Sequence, residues 1–386
     1  MSDFVRNTGR FIGVGAAMLL ASTFTFSQVA EPEWAGRFDA TIQRGLAENH
    51  MPGLAIGIVL DGKLVYVKGF GQSLLGPNGP RTTSDTVYHM ASITKTFVAT
   101  AIMQLVEKGP ISLDDPIIKW LPYFRLNDER YSRLTIKQFV THTSGMPDVD
   151  DYEWDKPQYD DGALERYVRS LNKKKLIFEP GSRWAYSNMA FEVLADVIAK
   201  ASGQSFEDYV SQHILIPAGM IHSTLLKEKT DPKTLATGYT RAKDGVPSPI
   251  KAYPYNRPHN ASSDLMSSVN DMARWAIMNL NRGEIDGNRI LKASTYDVMW
   301  KPYAEVEYCR GSGPCTKPGA SVGISWFLQN RDGRTLVSHN GGDDGFSTEL
   351  LMVPERKFAL IMMTNTDSPG VPFLKDLIQQ SLALIK

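Results

Sequence analysis

Apolar and polar positions follow two periods along this chain, and each change of period marks an element. From Trp34 to Asn49 (WAGRFDATIQRGLAEN) apolar residues recur at helical spacing, which predicts an amphipathic helix. Leu54–Gly71 (LAIGIVLDGKLVYVKGFG) is two β-rich runs around Asp61-Gly62, a hairpin signal. In FVATAIMQLVEKG, Phe97, Ala101 and Leu105, with Val98 and Ile102, recur at helical intervals until Gly109 ends the run. Residues 125–285 read as helical patches and loops: ALERYVRSLNKKK, MAFEVLADVIAKASG, SFEDYVSQHIL and SSVNDMARWAIMNL, several stopping at Gly or Pro. The end returns to strands in GISWFLQN, RTLVSHN and TELLMVPERKFALIMMTN, then closes on a helix, PFLKDLIQQSLALI. Strands near both termini predict one sheet built from about residues 31–124 and 286–386, around a helical insertion at about 125–285.

The first thirty residues break this pattern. Arg6 and Arg10 precede FIGVGAAMLLASTFTF, and SQVA then leads into the charged EPEW. This reads as a secretory signal over residues 1–30, with Thr25-Phe26-Ser27 or Gln28-Val29-Ala30 as imperfect cleavage sites. The other reading is an uncleaved anchor helix. The protein is expected to be secreted or periplasmic, or else held to a membrane by this segment alone.

Composition narrows the classes further. Apolar residues make up 42% and charged residues 22%, as in an ordinary folded chain. Lys and Arg number 42 and so do Asp and Glu, a balance that argues against a broad nucleic-acid-binding face. The expected partner is a small-molecule or peptide substrate. Cys309 and Cys315, in YCRGSGPCTKPG, are expected to staple that loop as a disulfide, the alternative being two free thiols. No His or Cys beside them completes a metal-ligand set.

Three S-x-x-K matches occur: Ser92–Lys95, Ser170–Lys173 and Ser248–Lys251. Ser170 runs into a solvated lysine stretch, and Ser248 precedes Pro249 in a loop rich in Pro, Tyr and Asn. Ser92 instead sits where a turn enters a long apolar helix, and Lys95, one turn on, projects from the same face. A desolvated lysine there could lose its proton and activate the hydroxyl. The bland alternative is a capping serine beside a surface lysine. Tyr186-Ser187-Asn188 precedes another apolar helix and offers a phenol for proton transfer and an amide for substrate, or else a packed Tyr and a capping Asn. His339-Asn340-Gly341-Gly342 is placed on an edge strand, where paired glycines would let a substrate backbone approach and a free N–H could serve an oxyanion hole.

Taken in order, S-x-x-K, Y-x-N and H-x-G resemble the serine β-lactamase and penicillin-binding-protein superfamily, in its class C β-lactamase-like branch of D-peptidases, esterases and acyltransferases. ISLDDPIIKWLP, LTIKQFVTHTSGMP, FEPGSRWAYSN, PAGMIHST and ATGY look like the same branch, so the resemblance covers nearly all of residues 35–386. It implies an α/β fold, an antiparallel sheet flanked by helices plus an all-α domain, with no cofactor. By the same resemblance Ser92 is the acylated nucleophile, Lys95 shares its proton, and Tyr186 is general base and acid. Asn188, His339, Asn340 and Gly341 bind substrate, and the N–H groups of Ser92 and Gly342 form the oxyanion hole. His142, in THTSG, is structural.

The implied activity is hydrolysis of an amide or ester through an acyl-enzyme, foremost a peptidase or amidase of D-amino-acid or cell-wall-type peptides. The alternatives are a carboxylesterase, a β-lactamase, and a non-hydrolytic penicillin-binding sensor. Two departures bear on substrate. His339 stands where many relatives carry lysine, which removes a cation for a substrate carboxylate. Asn260–Trp275 has serines where relatives carry paired glycines. Finally, Pro147–Gly162 gathers seven acidic residues, read as a solvated loop, or as a rim for a cationic substrate or calcium.

Overall fold

A two-residue turn begins the sheet. In the computed structural model, which describes residues 31–241, 245–307, 319–367 and 371–385, strands β1 (Gly53–Leu60) and β2 (Lys63–Gly71) pair antiparallel. Asp61 and Gly62 between them both have positive φ, 50° and 75°, the handedness that matches strand twist in a tight hairpin. Six more strands come from the other end of the chain: β3 Ala304–Glu305, β4 Ala320–Val322, β5 Phe327–Arg331, β6 Arg334–Asp343, β7 Phe346–Val353 and β8 Phe358–Thr364. The sheet order is β2-β1-β8-β7-β6-β5-β4-β3, antiparallel throughout. The α/β class with a large antiparallel sheet is therefore the observed one.

Two helical layers cover the sheet. Leu54, Ile56 and Ile58 of β1 and Leu360 and Met362 of β8 pack with helix α1 (Ala35–Glu48) and with Leu377 of the C-terminal helix. Ala55, Val59, Ile361 and Met363 face the opposite layer. A strand covered on both faces cannot alternate apolar and polar residues. That is why LAIGIV and FALIMM read as unbroken apolar runs.

The opposite layer centres on α2 (Thr94–Lys108), buried around its whole circumference from Thr94 to Leu105 and thus a core helix. It packs against α3 (Asn188–Ser202) and against α4 (Val269–Leu280), where Phe97 stacks on Trp275 at 3.8 Å. The last helix, α5, spans Pro372–Ala383. The middle of the chain also holds short ladders that the pattern did not reveal. Val87–His89 pairs with Met266–Ser268, which converts the start of SSVNDMARW from helix to strand. Ser268 then caps α4, accepting from the Asp271 N–H at 3.2 Å.

The segment His339–Gly342 does not lie on an edge strand. β6 is not an edge strand: β5 and β7 flank it. Its pairing with β5 ends at Phe327–Ser338, however, while pairing with β7 continues to Asp343–Phe346. The segment His339–Asp343 thus has a ladder partner on one side only. Residues 1–30, Cys309 and Cys315 lie outside the described residues.

Candidate functional site

Ser92 sits on a constrained turn. Ala91 before it has φ of +47°, a region that costs a non-glycine residue roughly 1–2 kcal/mol. Three bonds hold the turn. Met90 N–H donates to the Leu265 carbonyl at 2.7 Å, Thr348 Oγ1 donates to the Met90 carbonyl at 2.9 Å, and Thr94 Oγ1 donates to the Ala91 carbonyl at 2.7 Å. Such over-determined strain is typical of reactive turns.

Lys95 is fully buried one turn into this start of α2. Its Nζ donates to Asn188 Oδ1 at 2.5 Å, to the Ser262 carbonyl at 2.6 Å and to Ser92 Oγ at 3.1 Å. Three ammonium hydrogens thus meet three oxygens. Burial pushes the ammonium down to about 8, against the opposing pull of Glu192, Asp148 and Asp343. The two shorter contacts go to oxygens that only accept, whereas Ser92 Oγ can also donate. Once Lys95 loses a proton, its lone pair is therefore left facing the serine hydroxyl.

The other residues close around this pair. The Tyr186 ring centroid lies 5.0 Å from Lys95 Nζ and stacks on His142 at 4.3 Å. His142 is buried, accepts from the Ser187 N–H through Nδ1 at 3.1 Å, and is held well below its usual pKa by burial and by the Lys95 charge. It supports the phenol ring rather than reaching the cavity. Asn188 opens α3, and both ends of its amide are engaged: Oδ1 by Lys95, Nδ2 by Asp148 at 3.3 Å. Asp148 also accepts the Asn188 backbone N–H at 2.8 Å. Asn188 therefore clamps the lysine in this structure.

His339 is buried, with Nδ1 2.7 Å from the Asn340 carbonyl, and burial pushes it down to about 3. It is a neutral imidazole. Gly341 and Gly342 differ in kind. A Cβ on Gly341 would meet the Met90 carbonyl oxygen at 2.4 Å, so this glycine lets β6 press against the Ser92 turn. Nothing stands within 4 Å of a Cβ on Gly342, which opens on the cavity. That cavity, of about 480 Å³, is lined by Ser92, Tyr186, Asn188, His339, Asn340 and Gly342 among others. The structure thus assembles the sequence-selected set, with Gly341 beneath the turn. Ser170 and Ser248 lie exposed elsewhere, Ser170 at the end of a helix and Ser248 on a short ladder.

Several residues here escaped the sequence. Asp148 was visible only as one of seven acids in Pro147–Gly162. The others mostly turn to cations, Asp150 to Lys174, Asp160 to Arg166 and Asp161 to Arg257. Among the described residues no cluster of three or more His, Cys, Asp or Glu could hold a metal. Ser262 acts through a backbone carbonyl, which leaves no side-chain signal. Glu192 lies fully buried on α3, four residues after Asn188 and 3.3 Å from His259 Nδ1; that helical spacing could have flagged it.

With fold and geometry in place, comparison gives the class. A beta-lactamase family profile matches residues 38–384, and the chain belongs to that family of serine hydrolases. It is 28% identical over 340 residues to Protein flp of Staphylococcus aureus (strain MW2), covering 88% of this chain and 64% of that protein. It is 28% identical over 359 residues to penicillin-binding protein 4 of Amycolatopsis lactamdurans, covering 90% and 88%. In structure it resembles the octameric penicillin-binding protein homologue from Pyrococcus abyssi, with a TM-score of 0.75, 30% identity, and 91% and 77% of the two chains covered.

Proposed function

We propose that the protein is a secreted serine hydrolase that cleaves amide or ester bonds through an acyl-enzyme on Ser92. The observation that carries this reading is the Lys95 Nζ, buried and 3.1 Å from Ser92 Oγ, with its other contacts taken by acceptor-only oxygens. Neutral Lys95 takes the Ser92 proton as Oγ attacks the carbonyl carbon. The resulting oxyanion is held by the N–H groups of Ser92 and Gly342. Tyr186, beside Lys95, passes the proton to the leaving amine or alkoxide as the bond to it breaks. Water then attacks the acyl carbonyl, giving up a proton to the same pair and releasing the acid.

Charge in the cavity favours acyl groups without a carboxylate. His339 is neutral, and Asp148 and Asp343 line the walls. Among the uses expected of this class, that supports an amidase or peptidase of D-amino-acid-type substrates carrying a free amine, with neutral esters as a second substrate class. It counts against efficient β-lactam hydrolysis. The test is a parallel assay of D-amino-acid amides, p-nitrophenyl esters and nitrocefin, with a fluorophosphonate label. Turnover and labelling in the native protein, both abolished in Ser92→Ala, are the expected result. Undiminished turnover in Ser92→Ala would reject the nucleophile.

A further inference from the structure

A second hollow, of about 750 Å³, opens between β7, β8 and α5. Its walls include Trp154, Met362, Leu374 and Ile378, and it shares Asn340, Gly342 and Asp343 with the catalytic cavity. Trp154 stacks at 5.1 Å on Tyr152, itself a wall of the catalytic cavity. The two spaces thus border the same stretch of β6, this hollow on the α1 and α5 face of the sheet, with an aromatic pair along their border.

Glu349 stands in this hollow. On β7, Leu350 and Met352 pack into the α2 layer while Leu351 and Val353 pack towards α1 and α5. Alternation puts Glu349 with the second set, opposite Asn340 in the ladder. Its side chain is half-buried, between Asn340 and Met362 in the ladder, and burial pushes its carboxyl up to about 7. No hydrogen bond or ion pair within the described residues engages it. Lys375 is the only cation among the described lining residues and makes no ion pair with it; Asp343, Asp344 and Asp367 add further acids. A partly desolvated carboxylate without a cationic partner gains from meeting one, and groups of perturbed pKa concentrate at ligand sites.

We propose that this hollow is a subsite for an alkyl chain ending in a primary ammonium, carried by the substrate cleaved at Ser92. The methylenes lie against Trp154, Met362, Leu374 and Ile378, and the ammonium meets Glu349. The subsite role rests on Ser92 being the acylated group, so the test has an arm that needs no turnover. In that arm hexylammonium is titrated calorimetrically into Ser92→Ala protein and into the Ser92→Ala/Glu349→Gln double variant, at mildly alkaline pH. Loss of the charge-assisted contact is expected to weaken binding about tenfold or more. Equal affinity for the two proteins, or no binding to either, would overturn the site. The second arm compares kcat/KM for 6-aminohexanoyl and hexanoyl p-nitrophenyl esters, and for 6-aminohexyl and hexyl acetates. A preference for the amine-bearing member of either pair, reduced in Glu349→Gln, is expected. Glu349-dependent binding without any such preference would overturn the link between the two cavities. Failure of the hydrolase reading itself would show separately, as an inactive native protein in the first assay of p-nitrophenyl esters.

Discussion

The α-carbon of Gly341 faces the carbonyl of Met90 so closely that a Cβ there would stand 2.4 Å from the oxygen and 3.0 Å from the Ala91 Cβ. Strand β6 and the Ser92 turn are thus in contact through main chain. Gly341→Ala must push them apart, because both of these neighbours are backbone or Cβ atoms that cannot rotate away. Overpacking of this kind costs about 1–3 kcal/mol. The expected outcome is a lower Tm together with a fall in kcat beyond what the folded fraction explains. An unchanged melting curve would show that the strand does not bear on the turn.

Lys95 sets the pH dependence. Its folded pKa lies near 8 because burial disfavours the ammonium, and the proposed reaction uses the neutral amine. Activity should therefore rise with pH about tenfold per unit below that value and level off above it. Asp148 opposes the depression. Asp148→Asn should move the rising limb to lower pH, besides loosening the Asn188 clamp. Initial rates across a pH series for both proteins check this, and a stationary limb would break the assignment.

Under the proposed mechanism, His339 sets how well a substrate carboxylate is tolerated. His339→Lys places a cation where a neutral ring now sits. A charge-assisted hydrogen bond contributes about 1.5–3 kcal/mol, so kcat/KM for carboxylate-bearing substrates relative to neutral esters should rise about tenfold. The added charge also disfavours protonated Lys95, which shifts the rising limb downward. Both readouts come from one set of pH-rate measurements on two substrates.

Acid should destabilise the fold through the same histidines. His142 and His339 have folded pKa values below their ordinary 6.5, both mainly through burial. As pH falls below 6.5 the unfolded chain takes up these protons first. Stability present above 6.5 is therefore lost as pH falls, for His339 down to about pH 3, by up to about 1.4 kcal/mol per pH unit for each ring still neutral in the fold. Urea melts at several pH values check this. His339→Asn should flatten the slope, and an unaltered slope would mean other groups dominate.

Much of this arrangement was legible beforehand, for identifiable reasons. The β1–β2 hairpin announced itself through Asp61-Gly62, because only a few residues accept positive φ twice in succession. Helix α2 showed apolar spacing at two registers at once, the mark of a helix buried all round. Ser92 and Lys95 were separable from the other serine–lysine pairs because only theirs entered such a helix. What stayed hidden works through space or main chain. Asp148 reaches Asn188 from 40 residues away, and nothing in its local sequence distinguishes it from Asp150, which pairs with Lys174 instead. The short ladder of Met266–Ser268 was masked by the helix that follows at once. The free flank of His339–Asp343 depends on where β5 begins.

The grip of Ser262 on Lys95 has a consequence for how this sequence can drift. The contact is made by a carbonyl, an atom every amino acid supplies, at 2.6 Å. The side chain points elsewhere, with Ser262 Oγ donating to the His259 carbonyl at 3.2 Å in a fully enclosed space. The Lys95 contact is therefore blind to the identity of residue 262 provided the replacement is small. Exchange of Ser262 for another small residue is neutral by this measure, and the segment can change its spelling while its hold on Lys95 stays the same.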